Sequence, residues 1–199
     1  MHRVDQIAKA VVADTCAVWN VLSSAVLHRV CVGSGFEFAI TEFVLYECLH
    51  KPRREKTSDK RLQERLRAAR DQNQFKSYSL SVEDLQDVAI LEQRKRVSKG
   101  ELSSLAFAQK VRLSVQTDDQ RARKLAALVL TEDRVQTTPH VLGWLFFEGR
   151  LADGDLACIV EEHESFERPL RRFFDQMYHE AMRCRLLART ASGEDRGIV

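Results

Sequence analysis

The chain has 199 residues, 31 Lys and Arg against 29 Asp and Glu for a formal charge of +2, and 44% of it is apolar. That length suits one compact domain, and an apolar share close to the ordinary globular ~45–50% excludes a mostly disordered chain. The longest apolar run, Val141 to Phe147, holds seven residues including Gly143, far short of the ~18 a membrane span needs. The first ten residues include His2, Arg3, Asp5 and Lys9 and lack the apolar stretch of a secretory signal, so no membrane association is expected and the cytoplasm is the expected compartment.

Strands and helices then alternate. Val11-Val12-Ala13 is a short β-branched run ending at Asp14, and Trp19 to Val26 reads as a helix with Val18, Val21, Leu22, Ala25 and Val26 on one side. Phe36 to Ile40 is a second strand-like run, after which Thr41 is placed to cap a helix through Val44, Leu45, Cys48 and Leu49. Lys51 to Arg70 is helical but poorly apolar, Ser77 to Leu80 is a short strand, and Ser81 caps a helix from Val82 to Arg96. Gly100 breaks the chain before a helix from Glu101 to Lys110. Leu113 to Gln116 is the next strand, Asp119 to Leu128 the next helix, Arg134 to Thr137 a last short strand, and helices dominate after Pro139. Strands separated by helices long enough to cross over predict parallel pairing and a layered α/β fold.

Five scattered cysteines with no C-x-x-C pair read as reduced apolar fillers, and no H-x-x-x-H pair occurs among the six histidines. The chemistry lies elsewhere. Ligands of open parallel sheets sit outside the carboxyl ends of the strands, and there the sequence is acidic. Asp14 closes the first strand, Glu47 lies in the helix after the second, Glu101 follows Gly100 at a helix start, and Asp118-Asp119 follow the Leu113–Thr117 stretch. Crowded carboxylates repel unless protons or a divalent cation relieve them. Hard oxygen ligands suit Mg²⁺ or Mn²⁺, and such a site would hold a phosphodiester for attack by water. A simpler reading stands beside it, since capping and the helix macrodipole alone favour Asp and Glu at helix starts.

Four stretches in this order resemble motifs of the PIN-domain nucleases, most of all the bacterial subgroup that includes VapC-like toxins. They are Val11-Val12-Ala13-Asp14-Thr15, then Thr41-x-x-Val44-x-x-Glu47-Cys48-Leu49, then Gly100-Glu101-Leu102-Ser103-Ser104-Leu105-Ala106, then Gln116-Thr117-Asp118-Asp119-Gln120-Arg121-Ala122-Arg123-Lys124-Leu125-Ala126. The resemblance runs from about Val11 to Gly149, with G-E-x-x-x-L-A and D-D-x-x-A-R-x-L-A its most specific motifs. It implies a three-layer α/β/α sandwich with a central parallel sheet of four to five strands over residues 1–150. Beyond that are expected a C-terminal helical extension over 151–190, packed on the sheet domain or on a partner, and a frayed tail over 191–199.

The implied activity is Mg²⁺- or Mn²⁺-dependent endoribonuclease, with the toxin of a toxin–antitoxin pair as the expected role. RNA processing and phage defence are other nuclease roles, and a non-catalytic scaffold binding RNA or protein is a third class. Position by position, Asp14, Glu47 and Glu101 match the family's acids; the fourth is Asp119, counted from Thr117, with Asp118 as the other choice. The implied metal ligands are Asp14, Glu101, Asp119 and Asp118, and Thr15 is expected to orient water or bond Asp14. Glu42, beside the Thr41 cap, is assigned to capping. The implied partners are RNA, an antitoxin protein and a second copy of the chain. The chain departs from the family's pattern at Cys16, where many members carry Asn, Ser or another small polar residue, in the charged helix between Glu47 and Glu101, and in continuing past the usual end of the domain.

That helix is the expected nucleic-acid surface. Between Lys51 and Arg70, nine basic residues, among them Lys51, Arg53, Arg54, Lys60, Arg61 and Arg65, outnumber three acidic ones, for a local charge of +6 against −4 in the other 179 residues. Phosphates need such counter-charge, although a solvated helix with i,i+4 pairs would have the same composition. Thr138 to Gly149 reads as an apolar helix with Pro139 in its first turn. Its Trp144, Phe146 and Phe147 are not expected to share one core, so a dimer or antitoxin surface stands beside a buried packing helix as its role.

Overall fold

The computed structural model describes residues 4–51, 57–81, 83–84, 86 and 97–192. In chain order the elements are β1 (Ala10–Ala13), α1 (Thr15–Ser23), α2 (Ala25–Gly33), β2 (Glu37–Thr41), α3 (Glu42–Leu49), α4 (Thr57–Asp71), β3 (Phe75–Tyr78), α5 (Lys99–Val111), β4 (Ser114–Gln116), α6 (Gln120–Val129), β5 (Val135–Gln136), α7 (Thr138–Phe147), α8 (Asp153–Ser165) and α9 (Arg171–Ser192). The five strands pair in parallel in the order β3-β2-β1-β4-β5.

Helices cover both faces of the sheet at its centre, which is why β1 and β2 read as short apolar runs, whereas the edge strand β3 is buried only at Phe75. Successive side chains point to opposite faces. Val11 and Ala13 of β1, with Phe38 and Ile40 of β2, therefore enter one core, while Val12 and Ala39 enter the other. The first core is filled by α1 to α4 and α7 to α9, the second by α5 and α6. The result is a three-layer α/β/α sandwich. Among the described residues no single helix is long and apolar enough to cross a membrane.

The structure moves several expected boundaries. The helix expected over Trp19 to Val26 is two helices bent by 103° at Ser24. Ser24 has extended backbone, caps α2 by accepting from Leu27 N, and donates its hydroxyl to Glu162 Oε2 at 2.6 Å. Apolar spacing is the same on both sides of that cap, so periodicity alone runs through it. The third strand starts two residues earlier than expected, at Phe75, because Phe75 stacks on Phe38 with ring centroids 4.9 Å apart and the two pair in register. The expected helix from Val82 to Arg96 lies almost wholly outside the described residues.

At α7 the packing-helix reading holds, and the expectation that Trp144, Phe146 and Phe147 do not share one core is overturned. Trp144, Leu145 and Phe146 are all buried, and Phe147 packs against the same core. One side of the helix faces the sheet layer, and α9 covers the other. Gly143 permits the close crossing: a Cβ there would stand 3.1 Å from the Cβ of Met177. Phe146 meets Tyr178 edge-on at 4.9 Å. The α7 helix is thus a buried packing helix, and Ile159, Phe174 and Ala181 of the C-terminal helices belong to the same core as β1 and β2. Phe174→Ala should accordingly cost about 3–5 kcal/mol in urea unfolding with one cooperative transition retained. A loss under about 1 kcal/mol would mean that α9 folds apart from the sheet.

Candidate active site

The strands β1 and β4 lie side by side; from β1 the sheet extends outward through β2 and β3, and from β4 through β5. At such a reversal the loops leaving two neighbouring strands diverge and open a crevice beyond their carboxyl ends. Asp14, the first residue after β1, donates its N–H to Gln116 O at 3.1 Å and so stands level with the end of β4. Its Oδ1 caps α1, accepting from Ala17 N at 2.8 Å. Its Oδ2 is buried and has no hydrogen-bond partner, and the residue is 1% exposed. Burial pushes the Asp14 carboxyl up to about 8; the Thr117 side chain and the Ala17 N–H oppose this, and the charges of Asp118 and Glu101 add to it.

The other acids arrive on helices. Glu47, in the second turn of α3, accepts from Thr15 Oγ1 at 2.7 Å and from Gly100 N at 3.3 Å, with Lys51 Nζ 3.6 Å away. It ties α3 to the first turns of α1 and α5. The approach of Gly100 is so close that a Cβ there would run into the Glu47 carboxylate and the Thr15 hydroxyl. Glu101 closes a capping box: its Oε2 accepts from Ser98 N at 2.8 Å, while its own N–H donates to Ser98 Oγ. Burial raises the Glu101 carboxyl against the pull of Ser98, and the charges of Asp119 and Glu47 raise it further. Asp119 caps α6 through Oδ1, which accepts from Arg121 N at 2.7 Å and Ala122 N at 2.9 Å. Asp118 accepts from Thr138 N, Thr138 Oγ1 and Asn20 Nδ2 at 2.9, 2.6 and 2.7 Å. Burial raises its carboxyl, and those donors and the Arg123 charge oppose the rise.

Asp14, Glu47, Glu101, Asp118 and Asp119 therefore share one edge of the sheet and feel one another's charge. Asp14, Thr117 and Glu101 also line a cavity of about 10 Å³, roughly the least that admits one water. Among the described residues no three His, Cys, Asp or Glu side chains are grouped tightly enough to hold an ion as they stand. The donor chemistry nonetheless suits a hard cation: every nearby acid offers oxygen, and Asp14 Oδ2 is a buried acceptor without a hydrogen-bond partner. Mg²⁺ commonly takes only one or two direct carboxylates, completing its shell with water and phosphate.

Thr15, expected to serve Asp14, donates to Glu47 instead. Glu42 accepts from Ser79 Oγ at 2.7 Å and does not cap α3; Thr41 does so through its own hydroxyl. Asn20 and Thr138 were not singled out in the sequence, although a buried Asn inside the apolar run Ala17 to Leu22 was the available signal. The basic strip divides. Lys51 sits beside Glu47, whereas Arg53, Arg54 and Lys56 lie outside the described residues. Lys60 is on the first turn of α4. Arg65 is committed elsewhere: its Nη1 donates to Leu22 O at 2.6 Å and Ser23 O at 3.0 Å, capping the carbonyl end of α1. The Arg65 and Arg61 guanidinium groups both lie 4.9 Å from the Phe166 ring, an arrangement that explains them as packing groups.

No family model, curated protein or solved structure matches the chain.

Gly100→Ala should cost about 1–3 kcal/mol in urea unfolding, because a Cβ there displaces the buried Glu47 carboxylate from Thr15 Oγ1 and Gly100 N, which outweighs the gain in helix propensity. That shift of Glu47 should appear in carboxyl carbon NMR shifts. Asp14 keeps its proton in the folded state and loses it on unfolding, so stability should fall as pH rises from about 4 to about 8, with a slope approaching about 1.4 kcal/mol per pH unit for one retained proton. Urea unfolding across that window should show the slope flattened in Asp14→Asn.

Proposed function

We propose that this protein is a metal-dependent endonuclease hydrolysing RNA phosphodiester bonds, centred on Asp14. The observation that carries the reading is the convergence of Asp14, Glu47, Glu101, Asp118 and Asp119 on the crevice between β1 and β4, with Asp14 Oδ2 buried and without a hydrogen-bond partner. The resemblance of Val11 to Gly149 to PIN-domain nucleases supports it independently, and its VapC-like subgroup extends the proposal to a cytoplasmic toxin restrained by an antitoxin protein.

Asp14, Glu101 and Asp119 are the residues that would hold Mg²⁺ or Mn²⁺. When bound, the ion supplies the charge that stabilises a phosphodiester under in-line attack by water. Glu47 acts through Thr15 and Gly100, fixing the helix starts that carry Asp14 and Glu101. Asp118 is saturated by Asn20 and Thr138, which makes it a positioning residue that locks the turn presenting Asp119. Lys51 offers positive charge beside the edge for the RNA backbone. Water is the nucleophile; burial pushes the nearby Cys16 thiol far up, which suppresses the thiolate a covalent route would need.

One observation favours a second reading, a non-catalytic RNA- or protein-binding scaffold: Glu101 is engaged in its capping box and Asp118 has a full set of donors, so both serve the fold as they stand. Cleavage separates the two. Purified protein should cut bulk cellular RNA in Mn²⁺ or Mg²⁺ and not in EDTA, and Asp14→Asn should lower the rate by about 100-fold or more while remaining folded. Equal cutting by Asp14→Asn would overturn the site assignment. Absence of cutting together with absence of Mn²⁺ binding by calorimetry would leave the scaffold.

A further inference from the structure

We infer that the cleft between α7 and α9 binds one nucleotide of a single-stranded RNA beside the acidic edge, its phosphate on Arg123 and its base on Phe173. The choice of RNA rests on the nuclease reading above; the cleft itself does not. Its volume is about 650 Å³, within the ~300–1,000 Å³ of small-ligand sites. Asp118, Arg123, Pro139, Phe173, Met177 and Arg183 are among the residues that line it. Asp118 places one end against the carboxylates, and α9 supplies the opposite wall.

The two arginines differ in a way that marks the ligand. Arg183 spends its fork on Glu180, with Nε and Nη2 donating at 2.8 and 2.7 Å. Arg123 makes no salt bridge among the described residues, and its Nε is buried without a hydrogen-bond partner. A guanidinium N–H withdrawn from water and left unpaired costs free energy until an acceptor arrives, and the two oxygens of a phosphate match its donors best. On the α9 wall Phe173 is 49% exposed although it is a large aromatic. With Pro139 and Met177 it gives an apolar surface open to a stacking base. A guanidinium with an unpaired N–H and an exposed aromatic ring in one cleft match the phosphate and the base of a nucleotide.

The test uses the full chain and single-stranded oligoribonucleotide hexamers containing 4-thiouridine, in EDTA so that cutting cannot intervene. Binding is read by fluorescence anisotropy, and contact by photocrosslinking with mass spectrometry. Phe173→Ala and Arg123→Gln should each weaken binding about tenfold, with crosslinks on the peptide bearing Phe173, while Leu128→Ala, at an exposed position outside the cleft, leaves binding unchanged. Phe173 is half exposed, so its variant keeps the test decisive if Arg123→Gln fails to fold. Binding by a folded Phe173→Ala variant within about twofold of the parent, or crosslinks confined to other surfaces, overturns the proposal and leaves the cleft to a peptide. Cleft binding that persists in a protein with no Asp14-dependent cleavage supports the nucleotide site and removes only the nuclease reading.

Discussion

A carboxyl group shut away from water at the end of β1 sets the terms for the structure around it. The parallel sheet is covered on both faces, so the exit of an inner strand is buried, and Asp14 stands there with its N–H bonded to Gln116. Ionising an acid in such a place is costly. The fold offsets part of that cost with geometry intrinsic to parallel α/β architecture: helices that follow strands begin at the carboxyl edge and turn their positive ends toward it. Asp14, Asp119 and Glu101 each cap or box one of those helix starts. Capping and ion binding are therefore compatible demands on the same oxygens, and Asp14 Oδ2 is a buried acceptor that capping leaves over.

Around it, long-range hydrogen bonds make the edge rigid. Glu47 joins α3 to α1 and α5 through Thr15 and Gly100, and Asp118 joins the exit of β4 to α1 and α7 through Asn20 and Thr138. Each junction brings together residues far apart in the chain, so the carboxylates are positioned by the whole sandwich and not by one loop. Such support is what a site requiring accurate placement needs.

The C-terminal helices change the character of this edge. Because α9 lies over α7 through the close approach at Gly143, it seals a helix otherwise apolar on every side and builds the wall of the cleft that begins at Asp118. Arg65 and Arg61 serve this assembly by gathering at Phe166, so the most basic stretch of sequence is partly spent on internal packing. Local charge density counts residues and is blind to which of them find a carbonyl or a ring in the folded chain.

Local pattern was enough for much of the architecture. Val11 to Ala13 and Phe36 to Ile40 are legible as buried strands, Thr41 as a cap, Asp14, Glu101 and Asp118-Asp119 as residues at strand exits or helix starts, and Glu47 as a residue of the helix after the second strand, because strand, cap and turn preferences act over a few residues. Parallel pairing then places these acids on one edge whatever the details. What local pattern lacks is any record of distant partners. The break at Ser24 depends on Glu162, the commitment of Asp118 on Asn20 and Thr138, and the double-sided burial of Trp144 and Phe146 on α9. Sequence alone determined the layers and the acidic edge, through short-range periodicity. Tertiary packing alone decided which carboxylate oxygen stays open and which arginine keeps an unpaired N–H, because hydrogen-bond saturation depends on neighbours that only the closed fold brings within reach.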